Sequence, residues 1–297
     1  MNVDQAYAYC RGIAHTHGAN FSVGFRFLPN TKRRAVYAAY AFCRRADDIV
    51  DEPGSQSADR GSQETGNSDL PSAIGDLNQW QVELDNCYAG TPTHPITIAL
   101  ADALKHFAIP KSGFLALIAG CRQDLVKKRY ETFQELLHYC ELVAASISDI
   151  SLSIFGYKTD AAIGHGRDLS TALQLTNVTR DIGDDLTRDR IYVPLEDLRR
   201  FGVSEADLFG RVQNENMRRM IEFQIDRAES YFRAAEPLLG ELAFDARFPT
   251  LLMGGVYATV LGKLRKDPLT AIRRRLSLSA LQKALVIGAR VLRPHFV

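Results

Sequence analysis

The stretch Asp47-Asp48-Ile49-Val50-Asp51-Glu52 ends a long run of helical periodicity and is followed directly by Pro53-Gly54. A second acidic stretch, Asp181-Ile182-Gly183-Asp184-Asp185, ends another periodic run before Pro194. The C-terminal end of a helix carries partial negative charge, so carboxylates gathered there are repelled by the helix dipole and by one another. We therefore expect a positively charged group between the two stretches.

The residue types in these stretches indicate what that group is. They offer oxygen ligands only, with no His or Cys beside them, which suits hard divalent cations such as Mg²⁺, with Mn²⁺ as an alternative. Mg²⁺ keeps several waters and commonly completes its coordination shell with substrate phosphates. The sequence therefore predicts a site for a diphosphate and its metal ions.

Composition narrows the class of protein. The chain has 297 residues and a net charge of +1, and it has no basic face of the size that nucleic acid requires. No linker separates independent helical patterns, so we predict a single domain over residues 1–297. The five cysteines lack a Cys-x-x-Cys pair, no secretory signal pattern is found, and the longest apolar stretch is too short to span a membrane. We expect a cytoplasmic protein whose membrane contact, where it occurs, is peripheral; the oligomeric state is not predicted.

Most of the chain has helical periodicity and few alternating runs, which predicts an all-α fold. The predicted helices span residues 3–16, 31–52, 74–89, 94–107, 111–128, 132–156, 159–186, 213–242, 248–265 and 277–292. Between Pro53 and Pro71 the sequence is rich in Ser, Gly, Asp and Gln, which predicts an exposed loop.

Polar and aromatic side chains share one face of the first long helix, because they recur at steps of three and four residues. They are Tyr37, Tyr40, Arg44, Asp47, Asp48 and Asp51. Small or apolar residues such as Ala35 and Phe42 cover the other faces, so the helix can be buried while its polar stripe lines a cavity. The second helix repeats this design with Gln174, Asn177, Asp181 and Asp185. Aspartates at i and i+4 have Cβ atoms about 5–6 Å apart, close enough to share a metal ion.

Either acidic stretch alone is commonly a solvated helix end. The two together favour a site, because arginines that can neutralise oxyanions accompany both: Arg44 in the first, and Arg180, Arg188 and Arg190 around the second. Arg190 also has a simpler explanation as a cation favoured by the dipole near a helix end.

Chemistry that is based on metals and a diphosphate needs no nucleophilic side chain, since the metals stabilise the leaving group. The carbocation that remains is stabilised by aromatic faces. Candidate aromatic residues are Phe21, Phe25, Tyr37, Tyr40, Tyr130, Tyr192 and Tyr257, any one of which is more often a core residue.

These strings resemble the squalene/phytoene synthase family. The resemblance rests on Tyr40-Ala41-Phe42-Cys43-Arg44 through Asp51, Leu173-Gln174-Leu175-Thr176-Asn177 through Asp185, and Arg190-Ile191-Tyr192-Val193-Pro194. Further matches are His17 to Phe21, Phe25 to Pro29, Asp124 to Phe133, and Tyr257. The resemblance implies an all-α isoprenoid-synthase fold around a central cavity. It also implies a prenyltransferase that joins two prenyl diphosphates head to head through a cyclopropylcarbinyl diphosphate.

By motif position, the resemblance also assigns residues. It implies that Asp47, Asp51, Asn177, Asp181 and Asp185 bind Mg²⁺ with the diphosphate, and that the four aspartates are catalytic. It implies substrate contacts for His17, Asn20, Phe21, Tyr40, Arg44, Gln174, Arg180, Arg190, Tyr192 and Tyr257. For the proton loss that forms the cyclopropane, the base is either Tyr130 or released diphosphate.

The chain departs from the family's pattern at two places. His17-Gly18-Ala19-Asn20-Phe21 stands where many members read His-Ser-x-Ser-Phe, and this form resembles the squalene and hydroxysqualene synthases of bacterial hopanoid pathways. Ala145 and Ser148 replace two glycines of the family's pattern, which adds bulk beside the cavity. We therefore expect the chain to join two farnesyl diphosphates, through presqualene diphosphate, to a C30 product of the squalene or hydroxysqualene type.

Two alternatives stay open. One is the same reaction on geranylgeranyl diphosphate, which gives phytoene. The other is a non-catalytic assembly protein of the same fold, which the intact aspartates disfavour. The use of NADPH is also open, since squalene formation requires hydride and hydroxysqualene formation requires water.

Overall fold

In a computed structural model of the chain, residues 1–17, 22–51, 69–292 and 294–296 are described. The predicted all-α fold is confirmed, and within those ranges β pairing is limited to two isolated bridges, Arg129 with Ile191 and Tyr157 with Leu242. None of the helices in the described part of the chain is both long and apolar enough to cross a membrane. One hydrophobic core includes residues from Ala6 to Phe296.

Seventeen α-helices are described along the chain. In the first half they are α1 (Val3–His17), α2 (Ser22–Phe25), α3 (Asn30–Asp51), α4 (Asp69–Tyr88), α5 (Pro95–Ala103), α6 (Lys111–Val126), α7 (Phe133–Cys140) and α8 (Ser146–Phe155). In the second half they are α9 (Ala161–Arg180), α10 (Ile182–Asp185), α11 (Leu195–Phe201), α12 (Glu205–Phe209), α13 (Glu215–Ala235), α14 (Leu238–Glu241), α15 (Phe244–Lys266), α16 (Thr270–Arg273) and α17 (Ala280–Leu292).

Helix α3 is central to the fold and packs against α1, α5, α6 and α8. Ala38 and Phe42 are fully buried, which agrees with the prediction that small and apolar residues let this helix enter the core. Phe42 stacks on Trp80 of α4, with ring centroids 4.7 Å apart, and the Trp80 indole donates a hydrogen bond of 3.3 Å to the Phe42 carbonyl.

Helix α9 packs against α13, α8 and α15. Gly166 allows α9 and α8 to approach closely, because a Cβ at this position would lie 2.6 Å from Ser148 Oγ. At its other end, α9 stops where Asp181 leaves helical geometry, with φ −100° and ψ 10°. The predicted helix over residues 159–186 is therefore interrupted at the second acidic stretch.

The segment between α7 and α8 is a π-helical turn, Glu141–Ala145, inside what the sequence predicts as one α-helix over 132–156. Gly120 of α6 faces this turn, and a Cβ there would clash with the Val143 side chain. A π turn carries one extra residue per turn and is frequent at functional sites. Here it contains Ala145 and lies close to Ser148, the two residues that replace glycines of the family's pattern.

Other predicted boundaries need correction. The segment predicted as a loop over Pro53 to Pro71 lies mainly outside the described residues, and its last residues, 69–71, belong to α4. The predicted helix over 213–242 is divided into α13 and α14. Helices α2, α11, α12 and α16 are not predicted, because four to seven residues contain too few turns to show a period.

Candidate active site

A cavity of about 670 Å³ lies between α3, α6, α8, α9 and α15. Most of the predicted site residues line it. They are Tyr40, Arg44, Asp47, Asp51, Gln174, Asn177, Arg180, Asp181, Asp185, Arg190, Tyr192 and Tyr257. The two predicted polar stripes therefore face the same cavity, except for Tyr37 and Asp48 of the first stripe.

The cavity is polar at one end and apolar at the other. The C-terminal ends of α3 and α9 meet at the polar end, where Arg190 Nη1 lies 3.3 Å from Asp51 Oδ1. Towards the other end, lining residues such as Val36, Leu169 and Phe155 are apolar. Leu169 and Asp181 are separated by about 18 Å along α9, at about 1.5 Å per residue. The cavity thus suits an elongated apolar chain with an anionic head.

Hydrogen bonds join three helix termini near the apolar end. Lys32 Nζ near the start of α3 donates hydrogen bonds of 2.7 Å to the Phe155 carbonyl and 2.7 Å to Asp245 Oδ1. These bonds join the start of α3, the end of α8 and the start of α15. The three helices that line the cavity are therefore held together at this end.

Asp47 is the acid of the first stretch that lies deepest in the cavity wall. Burial raises its pKa to about 7, against the opposing effect of Arg44, and Asp51 and Asp124 raise it further. Its Oδ1 accepts a weak hydrogen bond of 3.6 Å from Cys121 Sγ. A cation that enters the cavity would therefore stabilise the charged form of this carboxylate.

Two of the three acids in the second stretch line the cavity, and among the described residues Asp181 has ion-pair partners whereas Asp185 has none. Asp181 Oδ1 lies 2.7 Å from Arg180 Nε and 3.2 Å from Arg275 Nε, and Arg180 is only 5% exposed. Burial raises the pKa of Asp185 to about 7, and the negative charge of Asp181 adds to the rise. Arg190 and Arg188 act in the opposite direction on Asp185. The region therefore combines aspartates whose negative charge is not fully neutralised with arginines that can hold phosphate oxygens.

These residues fit a hard metal ion. Asn177 Oδ1 is buried without a hydrogen-bond partner, and an oxygen in this state is ready to accept a cation or a donor. The ligands are oxygen atoms throughout, as Mg²⁺ prefers. In the described ranges, no three acidic, histidine or cysteine side chains already converge enough to hold a metal alone. Ions bound here would therefore draw part of their coordination from the substrate or from water.

The structure does not bring Tyr130 to the cavity. Its side chain is fully buried, and its hydroxyl accepts a hydrogen bond of 3.2 Å from Gln123 Nε2. Tyr139 and Tyr192 line the cavity instead and donate hydrogen bonds of 2.7 and 2.9 Å to Asp124. The Tyr130 ring packs against both, with centroid distances of 5.5 Å to Tyr139 and 5.7 Å to Tyr192.

Other predicted residues fall elsewhere. Asn20 and Phe21 lie outside the described residues, and so does the side chain of His17, although its backbone ends α1. Phe25 lines the cavity as predicted. Tyr37 was expected on the same stripe as Tyr40, but it lines a separate cavity on another side of α3.

Sequence reasoning missed several residues of the site. Tyr139, Arg275 and Lys283 line the cavity, and Asp124 was noted only as part of a matching string. Arg275 belongs to the run Arg273-Arg274-Arg275, whose charge was the one available signal. Tyr139 carried no signal, because nothing in its local pattern distinguishes it from a core tyrosine.

The chain matches the model of the squalene/phytoene synthase family over residues 14–282. It belongs to the squalene/phytoene synthase family. Members of this family are prenyltransferases that act on prenyl diphosphates and generally depend on divalent metal ions. This protein is therefore a prenyltransferase of the squalene/phytoene synthase type.

Relatives within the family carry two kinds of name. The chain is 34% identical to a 15-cis-phytoene synthase of Synechocystis sp., over 98% of this chain and 86% of the relative. It is 33% identical to a phytoene synthase of Mycobacterium bovis, over 97% and 91% of the two chains. Similar solved structures include a dehydrosqualene synthase, at 26% identity and a TM-score of 0.85, over 99% of this chain and 98% of the other. They also include a squalene synthase, HpnC, of Alicyclobacillus acidocaldarius, at 30% identity and a TM-score of 0.78, over 89% and 95%. These structures confirm the predicted isoprenoid-synthase fold.

Proposed function

We propose that this prenyltransferase joins two farnesyl diphosphates head to head, through presqualene diphosphate, to a C30 product of the squalene or hydroxysqualene type. The observation that carries the proposal is the cavity that combines two acidic stretches at its polar end with apolar walls beyond. Its volume of about 670 Å³ is of the size that binds organic ligands.

In this proposal the residues of the polar end bind and orient the diphosphate. Arg190, Arg188 and Arg275 lie at the cavity surface and neutralise phosphate oxygens by charge-assisted hydrogen bonds. Asp47, Asp51, Asn177, Asp181 and Asp185 would hold Mg²⁺, which when bound neutralises charge that develops on the leaving diphosphate. The apolar walls exclude water from the allylic chain once its C–O bond breaks.

The proton that is lost when the cyclopropane forms goes, in this proposal, to released diphosphate. Tyr130 does not reach the cavity, and burial raises the pKa of its hydroxyl well above the usual range. Burial and the neighbouring Asp124 also raise the pKa of Tyr192 and Tyr139, so both phenols stay protonated and act as donors. A diphosphate held by arginines beside the cation is therefore the better base.

The preference for farnesyl chains is supported by bulk in the cavity wall. Ile147 and Ser148 line the cavity where the π turn meets α8. Ser148 occupies one of the two positions where the family's pattern has glycine. The similar structures named as squalene and dehydrosqualene synthases also support this reading.

The second candidate is the same condensation of two geranylgeranyl diphosphates to phytoene. It is favoured by the names of the relatives in sequence, several of which are phytoene synthases. A non-catalytic assembly protein is disfavoured, because all four predicted catalytic aspartates line one cavity.

The deciding experiment is substrate competition. Purified protein receives Mg²⁺ and equal concentrations of farnesyl and geranylgeranyl diphosphate, with and without NADPH, and products are identified by mass spectrometry. We expect presqualene diphosphate and a C30 product to predominate. Phytoene as the main product would select the second candidate, and no turnover of either substrate would select the assembly protein.

We also propose that the protein acts as a peripheral protein at an anionic membrane surface. Helix α17 exposes an apolar stripe in which Leu281, Leu285 and Leu292 are 71%, 64% and 83% exposed. The exposed arginines that precede it, Arg273 to Arg275, complement anionic lipid. Arg275 and Lys283 of the same region line the active-site cavity, so a membrane here would receive an apolar product directly.

Co-sedimentation with phosphatidylglycerol vesicles tests this placement. Leu281→Gln with Leu285→Gln should weaken binding about tenfold or more, because each buried leucine contributes roughly 1.5–3 kcal/mol. Val82→Gln on α4, where the valine is 57% exposed, is the control and should bind normally. Unchanged vesicle binding by the α17 variant would contradict a lipid-facing stripe. So would a dimer in solution that the variant converts to monomers.

A further inference from the structure

A second cavity, of about 350 Å³, lies between α1, α3 and the turn before α3. Among the residues that the structure describes, it shares none of its lining with the active-site cavity. Its described lining has four arginines, Arg11, Arg26, Arg33 and Arg34, and one aspartate, Asp4. The cavity therefore has an excess of positive charge.

Most of this charge is not neutralised by the protein. Of the four arginines, Arg34 alone has an acidic partner within the described part of the chain, with its Nη2 at 2.7 Å from Asp4 Oδ1. Arg33 donates to two neutral oxygens, the Arg26 carbonyl at 3.2 Å and Asn30 Oδ1 at 3.4 Å. Among the described residues, the side chains of Arg11 and Arg26 have no hydrogen-bond or ion-pair partner.

A largely buried tyrosine, Tyr37, lines the same cavity. Tyr37 is only 4% exposed, and within the described ranges its hydroxyl makes no hydrogen bond. Burial raises the pKa of this hydroxyl, while Arg33, Arg26 and Arg11, which line the same cavity, each act against the rise. The hydroxyl is thus a donor beside three guanidinium groups and is available to a bound acceptor.

We propose that this second cavity is a binding site for a phosphate group, held by Arg11, Arg26, Arg33 and the Tyr37 hydroxyl. The planar guanidinium group donates pairs of hydrogen bonds in the geometry that phosphate oxygens accept. Tyr37 lies on a different side of α3 from Tyr40, which lines the active site, so both cavities can be occupied at once. The phosphate could belong to free diphosphate or to a lipid headgroup, which offer the same oxygens.

The site is tested on the full chain in metal-free buffer, with inorganic diphosphate in calorimetry and with vesicles in co-sedimentation. The vesicles contain phosphatidylglycerol or, for comparison, phosphatidylcholine. The test variant is Arg11→Gln with Arg26→Gln. Its control is Arg199→Gln with Arg233→Gln, which removes the same net charge at exposed positions where each arginine has an acidic partner. Tyr37→Phe, which keeps the ring packing against Phe25 and His15, is measured in parallel.

We expect the wild type and the control to bind one equivalent of diphosphate with the same affinity. The test variant should bind it about tenfold more weakly, because charge-assisted hydrogen bonds are lost. Loss of phosphatidylglycerol binding alone would identify the headgroup as the source. Tyr37→Phe should weaken the same event, and its folded state is checked by circular dichroism. The proposal is overturned when the test variant and Tyr37→Phe both bind diphosphate and vesicles as the control does.

Discussion

Asp47 is held in an environment that disfavours its charge, and this gives the first prediction. Burial raises its pKa to about 7, whereas the unfolded chain has the ordinary value of 3.8. The folded state therefore keeps a proton that the unfolded state loses, and the stability of the metal-free protein falls as the pH rises from about 4 to about 7. Asp47→Asn removes the part of this dependence that Asp47 contributes, while Asp185, whose pKa is also raised to about 7, keeps its own part. We expect its melting temperature to exceed that of the wild type above pH 7 and to match it near pH 4.

The same substitution should reduce turnover about 100-fold or more, because one ligand of the predicted metal site is lost. Steady-state kinetics and differential scanning calorimetry on one preparation separate the two effects. A variant that is destabilised at pH 8 would show that Asp47 is a structural acid instead.

Asp181 should behave in the opposite way. The sequence alone predicts that its loss, like that of Asp47, relieves repulsion between acids. In the structure it is the acid paired with Arg180, which is 5% exposed. We expect Asp181→Asn to destabilise the protein by about 1–3 kcal/mol, since a buried guanidinium loses its acidic partner.

Adding Arg180→Gln to Asp181→Asn is the matched control for this pair. The double variant should regain part of the stability that the single variant loses, as urea unfolding would measure. Additive losses in the two variants would show that the ion pair does not account for the effect.

At the scale of single residues, the sequence predicted which aspartates line the cavity, and it placed four of the six described candidate aromatics there. Tyr37 and Tyr130 are the two that lie elsewhere. The acids recur at three and four residues, and such a stripe faces one direction whatever surrounds it. Tyr37 is the first residue of the stripe on α3. Because a helix has 3.6 residues per turn, residues spaced three and four apart shift gradually around it, and Tyr37 lies at the edge of the stripe. That edge faces the second cavity, between α3 and its neighbours. Tyr130 was expected to reach the substrate, and it lies outside the cavity for a related reason. Tertiary packing decides which tyrosine of a cluster lines a cavity.

Helix α8 is the element that should set the length of the substrate. Ser148 lines the cavity and fits against Gly166 of α9. We expect Ser148→Gly to raise the ratio of kcat/KM for geranylgeranyl over farnesyl diphosphate, because it enlarges the apolar part of the cavity. The cost in stability is that of a glycine inside a helix, roughly 0.5–1 kcal/mol.

Ser153→Gly is the control for this change. It places the same glycine in α8, at a position outside the cavity lining. Both variants should lose similar stability, and only Ser148→Gly should change the substrate ratio. Equal kcat/KM ratios in the two variants would show that α8 does not select the length of the substrate.

At the scale of elements, the sequence predicted the long helices and missed what interrupts them. Hydrophobic periodicity places both ends of α3 and α15 and the starts of α9 and α13 to within a few residues, since each helix has several turns. The π turn at Glu141–Ala145 and the break at Asp181 have no periodic signature. Both depend on contacts with other helices, such as the close approach of Gly120 to Val143.

For the whole molecule, a single domain over residues 1–297 stays a prediction. One hydrophobic core includes residues from α1 to the segment after α17, so we expect one cooperative unfolding transition. Calorimetric and van't Hoff enthalpies of unfolding should then agree. Two resolved transitions would show that parts of the chain fold independently.

The stacking of Trp80 on Phe42 has a practical consequence. The chain contains one tryptophan, and its buried indole lies against the helix that carries Asp47 and Asp51. Intrinsic fluorescence excited at the indole band thus comes from a single, known position. Its emission maximum reports, without a label, on the packing of α3 against α4. A stopped-flow instrument could follow that signal while a substrate or an ion is added.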